Sequence, residues 1–257
     1  SPTRKVYYSL TEQNPFLPRT YIEQLKKDLD PKEAQRMLYG RWIEIDKERL
    51  YHAYTKEQNF KDSVYIVDHS VSVSIALDFN IGNGKPLSLA LSQYKQDTFH
   101  FFDEVVVHGF RTLDAFDELA NRGVFEWPVQ FVIHGDATGA ARSTTSKHSN
   151  YEQIEEFLSN YKTKAGHKLS FSMEVPRSNP PIRERHNIVN AYCCNSLKQI
   201  RLFVYAKCKT LHEGFNLTAL KKGAEYIEDD SKEYQHITTA AGYRITYTAQ
   251  NNFNAKG

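Results

Sequence analysis

A chain of 257 residues with 33 basic and 31 acidic side chains has a net charge of only +2, so any nucleic-acid-binding surface has to be local rather than global. Hydrophobic residues make up 40%, aromatic residues 13% and charged residues 25%, the balance of an ordinary globular protein with one large domain, or one domain and an appendage. No stretch approaches the roughly 18 consecutive apolar residues of a membrane span. The opening SPTRKVYYS is no signal peptide, and no GxxxxGK[ST] phosphate-binding loop occurs. Cys193, Cys194 and Cys208 are an odd set without metal-ligand spacing, which reads as reduced thiols. A start at Ser1-Pro2 without methionine suggests a processed or excised piece of something larger.

In chain order, residues 20–40 predict two helices. Thr20 with Glu23 has the spacing of a capping box, and Asp30-Pro31 with Glu33 starts a second helix that runs to Gly40. SIALDFN (74–80), LSLALSQYK (87–95) and TFHFFDEVVV (98–107) predict three successive strands, with GNGKP (82–86) as a hairpin turn. TLDAFDELANRG (112–123) has helical spacing, with Leu113, Phe116, Leu119 and Ala120 on one face. QFVIHGDA (130–137) predicts a fourth strand, NYEQIEEFLSNYKTK (150–164) a helix and KLSFSMEV (168–175) a fifth strand. Then come a helix at 182–195, a short strand at 201–208 and a helix at 210–223. A polar hairpin or loop at 224–234 leads into a last helix at 235–250. A meander followed by helix–strand alternation predicts a mixed α/β sheet, antiparallel first and then parallel, flanked by helices.

Two carboxylates stand out. In the first strand Ile75, Leu77 and Phe79 point one way, and Ala76, Asp78 and Asn80 the other. Asp136 ends the fourth strand as Asp78 ends the first, and ligands of open α/β sheets gather at carboxyl ends of strands. If those strands are parallel neighbours, the two acids lie roughly 5 Å apart. Such a pair repels unless a divalent cation lies between. Oxygen-only ligands favour Mg²⁺ or Mn²⁺, and two such ions about 4 Å apart would serve phosphodiester displacement. The other reading is that each Asp caps the turn after its strand. Gly135 and Gly139 allow close backbone approach, and Arg142, Ser143, Thr144, Thr145 and Lys147 are suitable phosphate donors. His134 and His148 read as packing or surface histidines, and Asp103-Glu104 as surface acids at a strand end.

These residues, with SNPPIRERHNIVNAYCCN, RLFVYAKCKTLHEGF and HITTAAGY in that order, resemble the nuclease domain of tailed-phage terminase large subunits. NPFLPRTYIEQLKKDLDPKEAQRMLYGRW looks like the stretch that joins the packaging ATPase to that nuclease. The resemblance implies an RNase H-like fold and a metal-dependent endonuclease. Such an enzyme cuts double-stranded DNA concatemers during genome packaging with two Mg²⁺ or Mn²⁺ ions. It implies a lead-in at 1–62, the nuclease at 63–250 and a tail at 251–257. It also implies the ATPase domain, the portal protein and the small terminase subunit as partners, in the host-cell cytoplasm. Asp78 and Asp136 match the family's first two catalytic, metal-binding acids.

The third family acid lies in His-x-x-Asp-Ala-x-Gly-Tyr, and here Thr239 holds its place between His236 and Tyr243. A neutral hydroxyl is a poor ligand for a hard dication, which puts the second ion in doubt. Asp229 or Asp230 could substitute, and His236 is expected as a ligand or proton shuttle. Arg142, Lys147, Arg177, Arg183, Arg185 and Lys209 are the expected DNA contacts, with Arg185 and Asn190 alternatively buried structural groups. Two rivals remain: another RNase H-like nuclease such as a resolvase or integrase, and a catalytically silent DNA-binding or docking module.

Overall fold

The computed structural model describes residues 10–41, 49–79, 84–109, 111–141, 148–221, 226–229 and 233–254. Arg142, Ser143, Thr144, Thr145, Lys147, Asp230, Asn80 and part of the GNGKP turn lie outside the described residues. The elements are α1 (Arg19–Asp28), α2 (Pro31–Met37), α3 (Lys56–Asn59), β1 (Phe60–Lys61), β2 (Val73–Asp78), β3 (Leu87–Lys95) and β4 (Thr98–Val107). They continue with α4 (Thr112–Asn121), β5 (Gln130–Gly135), α5 (Asn150–Asn160), β6 (Ser170–Met173), α6 (Ile182–Cys193), β7 (Leu202–Tyr205), α7 (Lys209–Leu217) and α8 (Tyr234–Asn254).

The strands form one seven-stranded sheet in the order β1-β7-β4-β3-β2-β5-β6. β2, β3 and β4 are the expected antiparallel meander, and every other pairing is parallel. Helices cover both faces. Ile75 and Leu77 pack with Phe116 and Leu119 of α4 and with Ile154 and Leu158 of α5. On the other face Ala90, Phe101 and Val204 pack with Val189 of α6, Leu211 and Phe215 of α7, and Ile237, Ala241 and Ile245 of α8. Burying an apolar side chain of this size contributes about 1.5–3 kcal/mol, so both faces of the central strands are held firmly. Among the described residues no helix is long and apolar enough to cross a membrane.

Local sequence explains most boundaries. Asp30 accepts from the backbone N–H groups of Lys32 and Glu33 and caps α2, with Pro31 in its first turn. Ser149 and Glu152 form a reciprocal capping box on α5. The expected box at Thr20 and Glu23 does not form, because α1 begins earlier, after Pro18 and without a side-chain cap. α7 stops at Leu217, well short of 223, where the Thr218 hydroxyl turns back to donate to Gly214 O at 2.7 Å. β1 was not foreseen, since two residues are too short to show alternation. It pairs with β7, while Leu50, Tyr51 and Tyr54 join the core beneath α6 to α8, so the lead-in is fastened to the sheet. All three cysteines are free thiols and buried.

Gly135 lies where β5 meets β2. A Cβ there would come within 2.3 Å of Leu77 O and 2.8 Å of Leu77 N, backbone atoms that cannot move aside. Gly135→Ala is therefore expected to destabilise the fold by at least about 1–3 kcal/mol, the usual cost of overpacking. Urea denaturation measures it, and an unchanged midpoint would contradict this close approach.

Candidate active site

β2 and β5 are parallel neighbours in a register that places Leu77 opposite Gly135, and Asp136 N donates to Leu77 O at 3.0 Å. Asp78 and Asp136 thus occupy the carboxyl ends of adjacent strands on one rung. Both are buried, at 4% and 9% exposure, where an ionised carboxylate needs compensation. For Asp136 the compensation is a pair of donors on one oxygen. Oδ1 accepts from Thr138 N at 2.8 Å and from Asn179 Nδ2 at 2.7 Å. Asn179 Oδ1 in turn accepts from Ala137 N at 2.9 Å. Asp136 therefore does cap the turn that follows its strand, and neither of these two donors falls on Oδ2. Gly139 permits that turn to lie on the Phe79 ring, where a Cβ would come within 2.1 Å.

α8 lies across β2, β3 and β5 and brings His236 over Asp78. His236 Nδ1 is 3.0 Å from Asp78 Oδ2. Burial pushes the Asp78 carboxyl up; the His236 hydrogen bond and charge oppose that push, and the Asp136 charge adds to it.

One turn along the same helix, Thr239 is buried and its Oγ1 accepts from Arg185 Nη2 at 3.2 Å. The same Nη2 donates to Glu228 Oε1 at 2.7 Å, and His186 Nε2 lies 2.6 Å from that oxygen. Burial opposes ionisation of Glu228, but His186 and Arg185 outweigh it and hold the carboxyl below the usual range. Glu228 is presented by a short antiparallel pairing: Lys221 N donates to Ile227 O, Asp229 N donates to Ala219 O, and Leu220 bridges to Glu228. The Tyr243 ring stacks 5.0 Å from the Arg185 guanidinium. Burial raises its hydroxyl well above the ordinary phenol range; Arg185 opposes this, and the charges of Asp136, Asp78 and Glu228 reinforce it, so Tyr243 stays protonated.

The structure thus brings together Asp78, Asp136, His236 and Thr239. Among the described residues it assembles no three-carboxylate cage, and no group of three or more His, Cys, Asp or Glu side chains is placed to hold a metal ion. Arg185, expected among the DNA contacts, is instead 3% exposed and engaged by Glu228 and Thr239. Asn190 is the buried structural group of the alternative reading, with Ala53 N donating to its Oδ1 and its Nδ2 donating to Leu50 O. Arg177, Arg183 and Lys209 are exposed, Arg183 stacking 5.5 Å over Tyr226. His134 is buried beside Glu174 O, and burial lowers its pKa to about 4, which fits a packing role; His148 is exposed. Asp103 and Glu104 are not surface acids. Asp103 accepts from Arg122, and Glu104 takes the first N–H groups of α7 from Thr210 and Leu211.

Glu228 and Asn179 were missed. Glu228 stands one residue before the acids considered as substitutes, and the pairing of 219–221 with 227–229 presents it to Arg185 and His186. Asn179 lies inside SNPP, where the following prolines fix the chain into α6.

This architecture is shared with solved structures. The large terminase of a thermophilic bacteriophage, in complex with ATP-gamma-S, matches with a TM-score of 0.63 and 12% identity over 90% of this chain and 53% of that one. The P22 large terminase nuclease domain matches with a TM-score of 0.56 and 14% identity over 78% of this chain and 92% of that one. The chain thus spans about half the length of the thermophilic-phage terminase it matches. No family model and no curated protein matches the sequence. At these identities the likeness establishes the fold, an RNase H-like mixed sheet of the kind found in large-terminase nuclease domains.

The raised Asp78 pKa has a thermodynamic consequence. In acid the group is neutral in both states. As pH rises through the ordinary carboxylate value of ~3.9 the unfolded chain ionises first, and native stability is lost until the folded group ionises as well. In EDTA at pH 7.5, Asp78→Asn should therefore melt above the parent by roughly 2–4 °C for each kcal/mol relieved. The gap should close below about pH 4. Differential scanning calorimetry across pH checks it; a variant that melts lower at neutral pH would show the carboxylate to be stabilising.

Proposed function

We propose that this chain is the nuclease portion of a phage large terminase, a metal-dependent endonuclease that cuts double-stranded DNA concatemers during packaging. The observation that carries the reading is the buried Asp78–Asp136 pair at the carboxyl ends of adjacent parallel strands, roofed by α8, in a fold shared with terminase nuclease domains. In this reading 1–62 is the lead-in from an ATPase domain, 63–250 the nuclease and 251–257 a tail. The portal protein and small terminase subunit are partners in the host-cell cytoplasm.

The donor set fits one hard divalent ion. Asp78 and Asp136 offer adjacent carboxylates suited to Mg²⁺ or Mn²⁺. The hydroxyl of Thr239, already accepting from a guanidinium, is not a seat for a second. A bound ion would supply a more acidic water and charge neutralisation at the phosphate. The chain's own residues do the rest. Asn179 fixes the orientation of Asp136 through Oδ1, as an outer-shell partner orients a metal ligand. His236 fixes Asp78 through Nδ1, and in this reading would serve as a proton shuttle once its Nε2, 3.3 Å from Gln235 Nε2, is released. Arg177, Arg183 and Lys209, with Arg142 and Lys147, would track the DNA backbone without reading its sequence. Thr239 favours a second reading, a DNA-binding module that does not cut.

Supercoiled plasmid with Mn²⁺ separates the two. The parent chain is expected to nick and linearise it. Asn179→Ala should slow cutting by about 10–100-fold, and Asp78→Asn should exceed that loss. Cutting by Asp78→Asn at the parental rate would sink the assigned centre. Retarded but uncut plasmid with the parent chain would favour the silent module.

A further inference from the structure

We infer that the Arg185 guanidinium stands in for a second cation in this site, so that Asp78 and Asp136 load a single divalent ion. The inference rests on the metal-dependent reading above and deepens it.

The seat for the guanidinium is built by several elements. Nη2 donates to Glu228 Oε1 at 2.7 Å and to Thr239 Oγ1 at 3.2 Å, while the side chain is 4% exposed. A cation this deep is tolerated only with a paired anion, and Glu228 supplies it. α8 is shaped around the arginine. A Cβ on Gly242 would come within 2.9 Å of Arg185 Cδ and 3.1 Å of its Cγ, and the Tyr243 ring faces the guanidinium at 5.0 Å. His236 and Thr239 are three residues apart on α8 and share a face. The helix that places a nitrogen base 3.0 Å from Asp78 Oδ2 therefore places the guanidinium's acceptor beside it. The positive charge of Arg185 also favours the ionised form of Asp78.

A dication approaching Thr239 would meet a guanidinium already paired with Glu228 and an oxygen already accepting a hydrogen bond. A carboxylate at this position would not cure that. Asp at 239 would close an ion pair with Arg185, in place of the hydroxyl contact, before it could receive a metal. The hydroxyl at 239 and the arginine are thus one arrangement: Glu228 and Thr239 together hold an organic cation with fixed geometry.

The test counts Mn²⁺ bound per full chain, by calorimetric titration and by the electron paramagnetic resonance signal of free Mn²⁺, without DNA. The parent is expected to bind one ion and Thr239→Asp still one. The pair Thr239→Asp with Arg185→Gln should bind two. Two ions in the parent, or in Thr239→Asp alone, would overturn the inference while leaving the metal-dependent reading intact. No bound ion in the parent would instead remove that reading itself. If the double variant does not fold by circular dichroism, the counts for the parent and Thr239→Asp still decide.

Discussion

The parallel pairing of β2 with β5 is the constraint on which the site depends. Two strands far apart in sequence meet with Leu77 opposite Gly135, and the missing Cβ of Gly135 is what lets the backbones close. Once that register is set, Asp78 and Asp136 have no choice but to share a rung at the sheet's carboxyl edge. A slip of one residue would turn Asp78 to the face packed by α4 and α5, where Ile75 and Leu77 now lie and nothing could partner a carboxylate. The unfavourable burial of the pair is offset locally, by Asn179 and Thr138 on Asp136 and by His236 on Asp78.

The roof over this rung is held by a second set of constraints. α7 and α8 approach closely because Gly214 has no side chain, a Cβ there coming within 2.6 Å of Thr238 Cγ2 and 2.9 Å of Tyr234 O. Gly242 makes the corresponding room for Arg185 from α6. Arg185 and His186 then converge on Glu228 and tie the 226–229 segment to the helices flanking the aspartates. Polar groups that would be costly if buried alone are joined into one network through Arg185 Nη2 and Glu228 Oε1, with Arg185 Nε left over as a buried donor. Around that network lie two carboxylates on the sheet, a histidine above one of them, and Thr239 bonded to the Arg185 guanidinium.

Much of this was legible in the sequence because it depends on period and order. Alternation in SIALDFN and QFVIHGDA fixed the facing of Asp78 and the strand-end position of Asp136, and the order of elements fixed a meander followed by parallel crossovers. The role of Thr239 was legible only as a departure from a family pattern. What escaped depends on contacts between distant segments. Arg185 looks like any helical arginine until α8 and Glu228 enclose it. Glu228 is one of a run of adjacent acids in the sequence, and only the backbone pairing with Leu220 shows it presented to Arg185. β1 is two residues long, and the Thr20 box fails because the helix is capped at Pro18, two residues early.

Where a divalent ion binds decides between these roles for the buried aspartates. Anomalous diffraction from crystals soaked in Mn²⁺ measures this directly. A peak between the carboxylates of Asp78 and Asp136, with Arg185 still bonded to Glu228 and Thr239, is the predicted result. Manganese bound elsewhere on the chain, with this rung empty at saturating metal, would contradict it.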